Sequence, residues 1–167
     1  STPGGIASRL PCLAPDVSSW VNNGTVVISD ATGSARFTVC GSFVNAASGT
    51  VRHTGGGKNT LLAATLTNLG VVQSTAGILI WSSANGLFGG GVVYGTTGQV
   101  HVVGTMVATA DALVGDNVWV LNLATVAGTI VIPAGATVHV GHNAANPTDV
   151  NGFSGTISGL VTGAGTL

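Results

Sequence analysis

The chain has 167 residues, of which 27 are Gly, 45% are apolar and 5% are charged, with Lys+Arg 4, Asp+Glu 5 and a net charge of −1. This composition excludes a nucleic-acid binder, which needs cations to neutralise phosphates, a disordered chain, and a helical bundle with charged outer faces. So few charges cannot cover an ordinary soluble domain, so we expect one compact β-domain whose surface is mostly buried in an assembly. A monomer solubilised by hydroxyl and amide groups is the alternative.

Residues 1–20 carry three of the five prolines and no periodic pattern, which predicts an extended Pro-rich arm ahead of a single β-domain over residues 21–167. The chain opens without a basic segment followed by an apolar run, so no secretory signal is expected. The stretch between Lys58 and Asp111 has no charge, but glycines and amides interrupt it throughout. It therefore does not predict membrane insertion.

Runs rich in Val, Ile, Thr and aromatic residues, bounded by Gly, Asn, Ser or Asp, predict strands along the rest of the chain. These runs span residues 25–29, 35–44, 60–67, 77–82, 91–94, 99–109, 117–126, 129–132, 137–141 and 155–161. Residues 108–114 fit a short helix or a loop.

Many short strands predict an all-β fold, and we interpret them as an antiparallel β-sandwich or jelly-roll-like domain. A β-solenoid is the rival, because Gly-Thr pairs recur along the sequence. A solenoid is expected to keep a fixed period, and these pairs are irregularly spaced, so the sandwich is preferred.

Ionisable groups that could converge on a catalytic site are scarce. His139, His142 and Asp149 form the best cluster, but a strand directs residues at this spacing to opposite faces, and a metal site needs three or four ligands. Asp111 and Asp116 are the only closely spaced carboxylates, and a turn explains them better than glycoside hydrolysis. We therefore expect no enzymatic activity, no metal site and no cofactor.

Two glycine-rich segments and one sequon have ordinary structural explanations. The segment Gly-Gly-Gly-Lys-Asn-Thr at 55–60 lacks the pattern of a phosphate-binding loop and predicts a hairpin tip or contact loop. Three consecutive glycines at 89–91 indicate a bulge or close backbone packing. The glycosylation sequon Asn-Gly-Thr at 23–25 is expected by chance in such a composition.

Aromatic residues are the candidates for contact with partners. Trp119 lies in an apolar strand and is expected in the core, whereas Trp81 precedes Ser-Ser-Ala-Asn-Gly and is expected to be exposed at a strand end. Trp81, Phe88 and Tyr94 are therefore interface candidates, and Trp81, with Trp20 and Trp119 as further members, is a candidate sugar-stacking platform.

The two cysteines, Cys12 and Cys40, allow two interpretations. They form one disulfide in an oxidising compartment, or they are two small buried side chains in a reducing one.

Three segments between residues 99 and 140 carry a family resemblance. They are Gln-Val-His-Val-Val-Gly-Thr at 99–105, Trp-Val-Leu at 119–121 and Ile-Val-Ile-Pro-Ala-Gly at 130–135. Together they resemble the β-rich domains of tailed-phage virions, namely capsid decoration (cement) proteins and trimeric tail-fibre heads. The resemblance implies a structural virion subunit that self-associates as a homotrimer and contacts other virion proteins.

Three functions are compatible with these features of the sequence. The favoured one is a non-enzymatic structural subunit of a bacteriophage particle, located in the virion and acting through subunit–subunit interfaces. The second is a secreted pilus or fibre subunit at the cell surface, in which Cys12 and Cys40 form a disulfide. The third is a carbohydrate-binding module that recognises a host-surface glycan through Trp81. None of the three has nucleic acid as a partner.

Overall fold

The computed structural model describes residues 19–30, 36–125, 129–140, 156–158 and 161–167. Over these residues the chain forms short and long β-strands joined by tight turns. The strands are β1 (Ser19–Asn22), β2 (Thr25–Ile28), β3 (Arg36–Asn45), β4 (Thr50–His53), β5 (Lys58–Asn68), β6 (Val71–Ser74), β7 (Ile78–Gly89), β8 (Val92–Gly95), β9 (Gln99–Ala110), β10 (Ala112–Val114), β11 (Val118–Thr125), β12 (Ile130–Ile132), β13 (Val138–Val140), β14 (Thr156–Ser158) and β15 (Val161–Gly163).

Through most of the chain, successive strands alternate between two sheets. The odd-numbered sheet has the order β1-β3-β5-β7-β9-β11-β13, with β14 also paired to β11, and the even-numbered sheet has the order β2-β4-β6-β8-β10-β12 with β15 at its far edge. The strand pairs in both sheets are parallel. A chain that crosses between two parallel sheets and advances one strand spacing per turn is a β-solenoid. The predicted antiparallel β-sandwich or jelly roll is therefore wrong.

The coil length varies, which explains why irregular spacing in the sequence pointed away from a solenoid. Paired residues are 25 positions apart between β2 and β4, 21 between β4 and β6, 21 between β6 and β8, and 18 between β10 and β12. Stacking requires adjacent strands to stay in register, but it does not require turns of constant length. The turns absorb the variation, and the strands keep their alignment.

The long strands of the odd-numbered sheet bend at their centres. In β5 the alternation of inward and outward side chains breaks where Ala64 and Thr65 both face outward. Register shifts fall at the same place in the neighbouring pairs, between Val39 and Ser42, Ser82 and Gly86, and Val120 and Asn122. In the last described coil the two halves of the bent strand are separate strands, because β13 pairs with the first half of β11 and β14 with the second.

The core lies between the sheets and consists of side chains stacked in register from one coil to the next. Two such rows are almost fully buried: Val51, Val72, Val93 and Val114 from the even-numbered sheet, and Leu61, Trp81, Val102 and Val120 from the odd-numbered sheet. Burying each Val or Leu stabilises the fold by roughly 1.5–3 kcal/mol. The stacked rows supply the hydrophobic core that a single coil could not form alone.

The predicted strands at 25–29, 35–44, 60–67 and 99–109 coincide closely with β2, β3, β5 and β9. The sequence analysis does not predict β1, β4, β6 and β10. A strand of three or four residues directs only about two side chains inward and shows little periodicity, so it is recognised only where nearly every residue is β-branched, as in β2 and β12. The segment predicted as a short helix or a loop contains β10, and the prediction at 155–161 covers β14 and the start of β15. The predicted arm falls on residues 1–18, outside the described residues, and on the first two residues of β1.

Candidate functional surfaces and buried polar ladders

Only one residue of the predicted histidine cluster lies in the described part of the structure. His139 lies in β13 and is exposed, whereas His142 and Asp149 lie outside the described residues. Within the described part of the chain, no three His, Cys, Asp or Glu side chains come together in a way that could hold a metal ion.

Asp111 and Asp116 connect neighbouring coils. The Oδ1 atom of Asp111 accepts a hydrogen bond from the Thr129 backbone N–H at 2.8 Å, and the Oδ1 atom of Asp116 accepts one from the Thr137 N–H at 2.9 Å. Each carboxylate thus satisfies a backbone donor of the following coil, which is a role in positioning turns.

The glycine-rich segment at 55–57 joins β4 to β5 and packs between turns above and below it. The Gly57 N–H donates to the Asp30 carbonyl at 3.2 Å, and the Gly57 carbonyl accepts from the Ile78 N–H at 3.0 Å. The expected hairpin tip is therefore wrong, because the flanking strands belong to different sheets and the turn is one layer of a stack.

The predicted exposure of Trp81 is wrong. β7 does not end after Ser82 but continues to Gly89, so Trp81 lies in mid-strand, faces inward and is 1% exposed. Its ring meets that of Phe43 edge to face, with the centroids 6.0 Å apart. The indole of Trp81 therefore does not offer a surface for a sugar or a partner subunit.

The other aromatic candidates are distributed over the solenoid. The backbone of Phe88 lies in β7, and its side chain is outside the described part of the structure. Tyr94 is half-buried on the outer face of β8, where its hydroxyl donates to Gln73 Oε1 at 2.5 Å. Trp20 lies in β1 and is 51% exposed. Cys40 lies in β3 and Cys12 lies outside the described residues, so their pairing stays a prediction.

Trp119 does not belong to the core between the sheets, although the sequence predicts it there. It faces outward from β11 in register with His101 and His139, and it is 8% exposed. Its ring stacks on that of His139 with centroids 4.2 Å apart and an interplanar angle of 9°, and it lies 5.2 Å from the ring of His101. An aromatic row therefore runs along the outside of the solenoid.

Three asparagines form a buried ladder at the turn that follows the odd-numbered strands. Asn22 Nδ2 donates to Asn45 Oδ1 at 2.8 Å, and Asn45 Nδ2 donates to Asn68 Oδ1 at 2.8 Å. Each side chain also donates to a backbone carbonyl of the next coil, at 3.1 Å from Asn22, 3.0 Å from Asn45 and 3.3 Å from Asn68. The ladder satisfies buried backbone acceptors and fixes the stacking of consecutive turns.

Sequence reasoning missed this ladder, although a signal was present. Asn22, Asn45 and Asn68 recur at an interval of 23 residues, and each is followed within four residues by Gly. Such a repeat of a buried polar residue is the kind of periodicity that distinguishes a solenoid from a sandwich.

A second polar cluster surrounds His53, whose side chain is fully buried. Asn59 Nδ2 lies 2.7 Å from His53 Nε2, and Ser74 Oγ lies 3.1 Å from His53 Nδ1. Because Ser74 Oγ donates to the Ala76 carbonyl at 3.0 Å, it must accept from Nδ1–H, and Nε2 must accept from Asn59. The network thus fixes His53 as a neutral imidazole with its proton on Nδ1.

Burial lowers the pKa of His53 below its ordinary value of 6.5, against a smaller opposing effect of the hydrogen bond to the backbone of Ala76. The unfolded chain therefore binds the proton more readily than the folded chain. The stability that neutral His53 contributes is complete above pH 6.5 and is lost as the pH falls through the folded pKa.

We expect the urea midpoint of unfolding to fall when the pH is lowered from above 6.5 to below it. His53→Gln, which keeps a donor and an acceptor but does not titrate, should show a smaller change over the same interval. Equal pH dependence in both proteins would contradict the role assigned to His53.

The outer face of the even-numbered sheet carries in-register rows of residues that are half-buried, apart from the exposed Arg52. One row is Thr50, Val71, Val92, Leu113 and Val131, and the row beside it is Arg52, Gln73 and Tyr94. The first row is therefore a continuous apolar stripe over β6, β8, β10 and β12.

The outer face of the odd-numbered sheet also carries in-register rows, which consist of apolar and hydroxyl side chains. Its rows include Thr38, Leu62, Ser82 and Val103 before the bend, and Val21, Val44, Thr67, Leu87 and Val107 after it. Parallel sheets are usually covered on both faces, and contiguous apolar surface on a soluble protein marks a site of association.

Among the described residues, charge is segregated along the solenoid axis. Asp30, Arg36, Arg52 and Lys58 lie between the end of β2 and the start of β5 and sum to +2, whereas Asp111 and Asp116 flank β10 and sum to −2. From β6 to β9 the strands and turns carry no charged side chain. The middle of the solenoid is therefore uncharged on all sides.

Comparison of the chain with protein-family models, characterised proteins and solved structures finds no match. Among the described residues, no helix has the length and apolar character needed to cross a membrane.

Proposed function

We propose that this chain is a non-enzymatic structural subunit of a virus particle and that it acts by burying the outer faces of its solenoid against other subunits. The observation that carries the proposal is the uncharged surface from β6 to β9, where rows of Val, Leu, Ile and Thr face outward in both sheets. Burial of such surface stabilises association by about 25 cal/mol per Å² of apolar area.

The location in a virion rests on the resemblance of residues 99–140 to the β-rich domains of tailed-phage virions, which also implies a homotrimer. A secreted pilus or fibre subunit is the alternative, since the same outer rows serve assembly in either setting. The carbohydrate-binding alternative loses its main support, because Trp81 is buried between the sheets.

Val103→Lys tests the assembly through outer faces. Val103 faces outward in β9 and is 37% exposed, so a lysine there extends into solvent in the folded monomer and places a charge in any interface that covers this face. We expect at least a tenfold weaker self-association, measured by sedimentation velocity, with an unchanged circular dichroism spectrum.

Ala47→Lys is the matched control. Ala47 is exposed in the turn between β3 and β4, away from the rows on β6 to β9, and the substitution adds the same charge. It should leave self-association close to that of the unchanged chain. Equal behaviour of the two variants would overturn the proposal that the outer faces assemble.

A further inference from the structure

The first described coil exposes apolar side chains, and one of them, Trp20, belongs to a row that is covered in the next coil. Trp20 in β1 faces inward in register with Phe43, yet Trp20 is 51% exposed and Phe43 is 0% exposed. Val21 and Val27, which face outward on β1 and β2, are 56% and 49% exposed. End repeats of a solenoid are ordinarily polar, so an apolar end indicates a surface that another layer covers.

The two ends of the even-numbered sheet are complementary edges. Its strand order places β2 at one edge and β15 at the other, and in the described part of the chain β2 pairs with β4 and β15 with β12. β2 has four residues and β15 has three, so one edge matches the other in length. An open strand edge is a template for pairing with another strand.

The charge distribution favours one orientation of such a contact. The described residues near the β2 end sum to +2, and those flanking β10, toward the β15 end, sum to −2. Two copies that meet at the same end bring like charges together, whereas a copy that meets the opposite end brings unlike charges together. The uncharged middle of the solenoid separates the two charged regions.

We infer that the β1–β2 end of one copy docks on the β13–β15 end of a second copy, so that β2 extends the even-numbered sheet beyond the neighbour's β15 and Trp20 is covered by the neighbour. This inference rests on the proposed structural role and adds an axial interface to the lateral one. The contact is head to tail and does not close, so copies add along the solenoid axis.

Val27→Lys tests the axial contact. A lysine on an edge strand opposes strand addition, and at position 27 its side chain faces solvent in the monomer. We expect the variant alone to form no axial rows in electron micrographs. Mixed into the unchanged chain at a substoichiometric ratio, it should shorten the rows, because its intact β13–β15 end still adds to a growing row and terminates it.

Val103→Lys is the matched control, since it is the same substitution on the side of the solenoid instead of its end. It should weaken lateral association and leave axial rows at their original length. Raised salt should shorten the rows of the unchanged chain, because it screens the attraction between the oppositely charged ends.

The outcomes separate the two proposals. If Val103→Lys weakens association and Val27→Lys does not, the axial contact is overturned and the lateral role stands. If the unchanged chain forms end-to-end dimers and nothing longer, the contact is head to head and the inference is overturned. If it is monomeric with Trp20 shielded from an aqueous fluorescence quencher, the chain covers its own end, and both proposals fail.

Discussion

Asn45→Ala is expected to lower the free energy of unfolding by about 3–5 kcal/mol. Asn45 occupies the centre of the ladder, where it accepts from Asn22 Nδ2 and donates to Asn68 Oδ1 and to the Val71 carbonyl. Alanine leaves one buried donor and two buried acceptors without these partners, and each unsatisfied group costs about 1–3 kcal/mol less any relaxation.

The measurement is equilibrium unfolding in urea, with Asn23→Ala as the matched control. Asn23 directly follows Asn22 of the ladder but is exposed in the turn after β1, so its replacement should change the free energy of unfolding by no more than about 0.5 kcal/mol. A loss for Asn45→Ala as small as that of the control would show that the ladder does not hold the coils together.

Gly104→Ala is expected to be the most damaging of the small substitutions, with a loss of more than about 3 kcal/mol or a failure to fold. Gly104 lies at the central bend of β9 with a φ of 108°, and a Cβ atom there would lie 1.9 Å from the backbone carbonyl oxygen of Ser83. The neighbouring backbone cannot retreat without breaking the pairing of β7 with β9.

Gly135→Ala separates the two causes of that loss. Gly135 also has a positive φ, of 80°, but a Cβ atom there meets nothing within 4 Å. We expect it to cost about 1–2 kcal/mol, the penalty for a left-handed residue with a side chain. If the urea midpoints of the two variants shifted equally, the tight contact at the bend would play no part.

The strand content of this chain is readable from the sequence, but the way the strands pair is not. β3, β5, β9 and β11 carry alternating or continuous runs of Val, Leu and Thr, and side chains alternate with a period of two in parallel and antiparallel strands alike. The local pattern therefore predicts a strand and leaves its neighbours open.

The repeat that reveals the pairing resides in the turns and not in the Gly-Thr dipeptides. Asn22, Asn45 and Asn68 are evenly spaced because a ladder requires one asparagine per coil. The turns elsewhere differ in length, since they need only to satisfy backbone groups, as Asp111 and Asp116 do for Thr129 and Thr137.

The sequence also does not predict which aromatic side chains are exposed. The polar residues that follow Trp81 indicate the end of a strand, yet they lie at the central bend of a strand that continues to Gly89. Conversely, the apolar neighbours of Trp119 predict a core position, but they face inward while its indole faces outward. In a solenoid with apolar residues on both faces, composition does not tell the inside from the outside.

The few charged residues of the chain are unevenly distributed in the structure. The described charged residues lie toward the two ends or in turns, and the described outward-facing residues of the long strands β7 and β9 are uncharged. Burial of an uncharged, largely apolar face against another subunit is favourable, which links the composition of the chain to a role in assembly.

The native mass of the unchanged chain, measured by light scattering over a wide range of concentration, tests this role most directly. We expect a mass that is a multiple of the 16.2 kDa of one chain and that grows with concentration. A mass of 16.2 kDa at every concentration would contradict it, because a monomer stable at high concentration has no need to cover its outer faces.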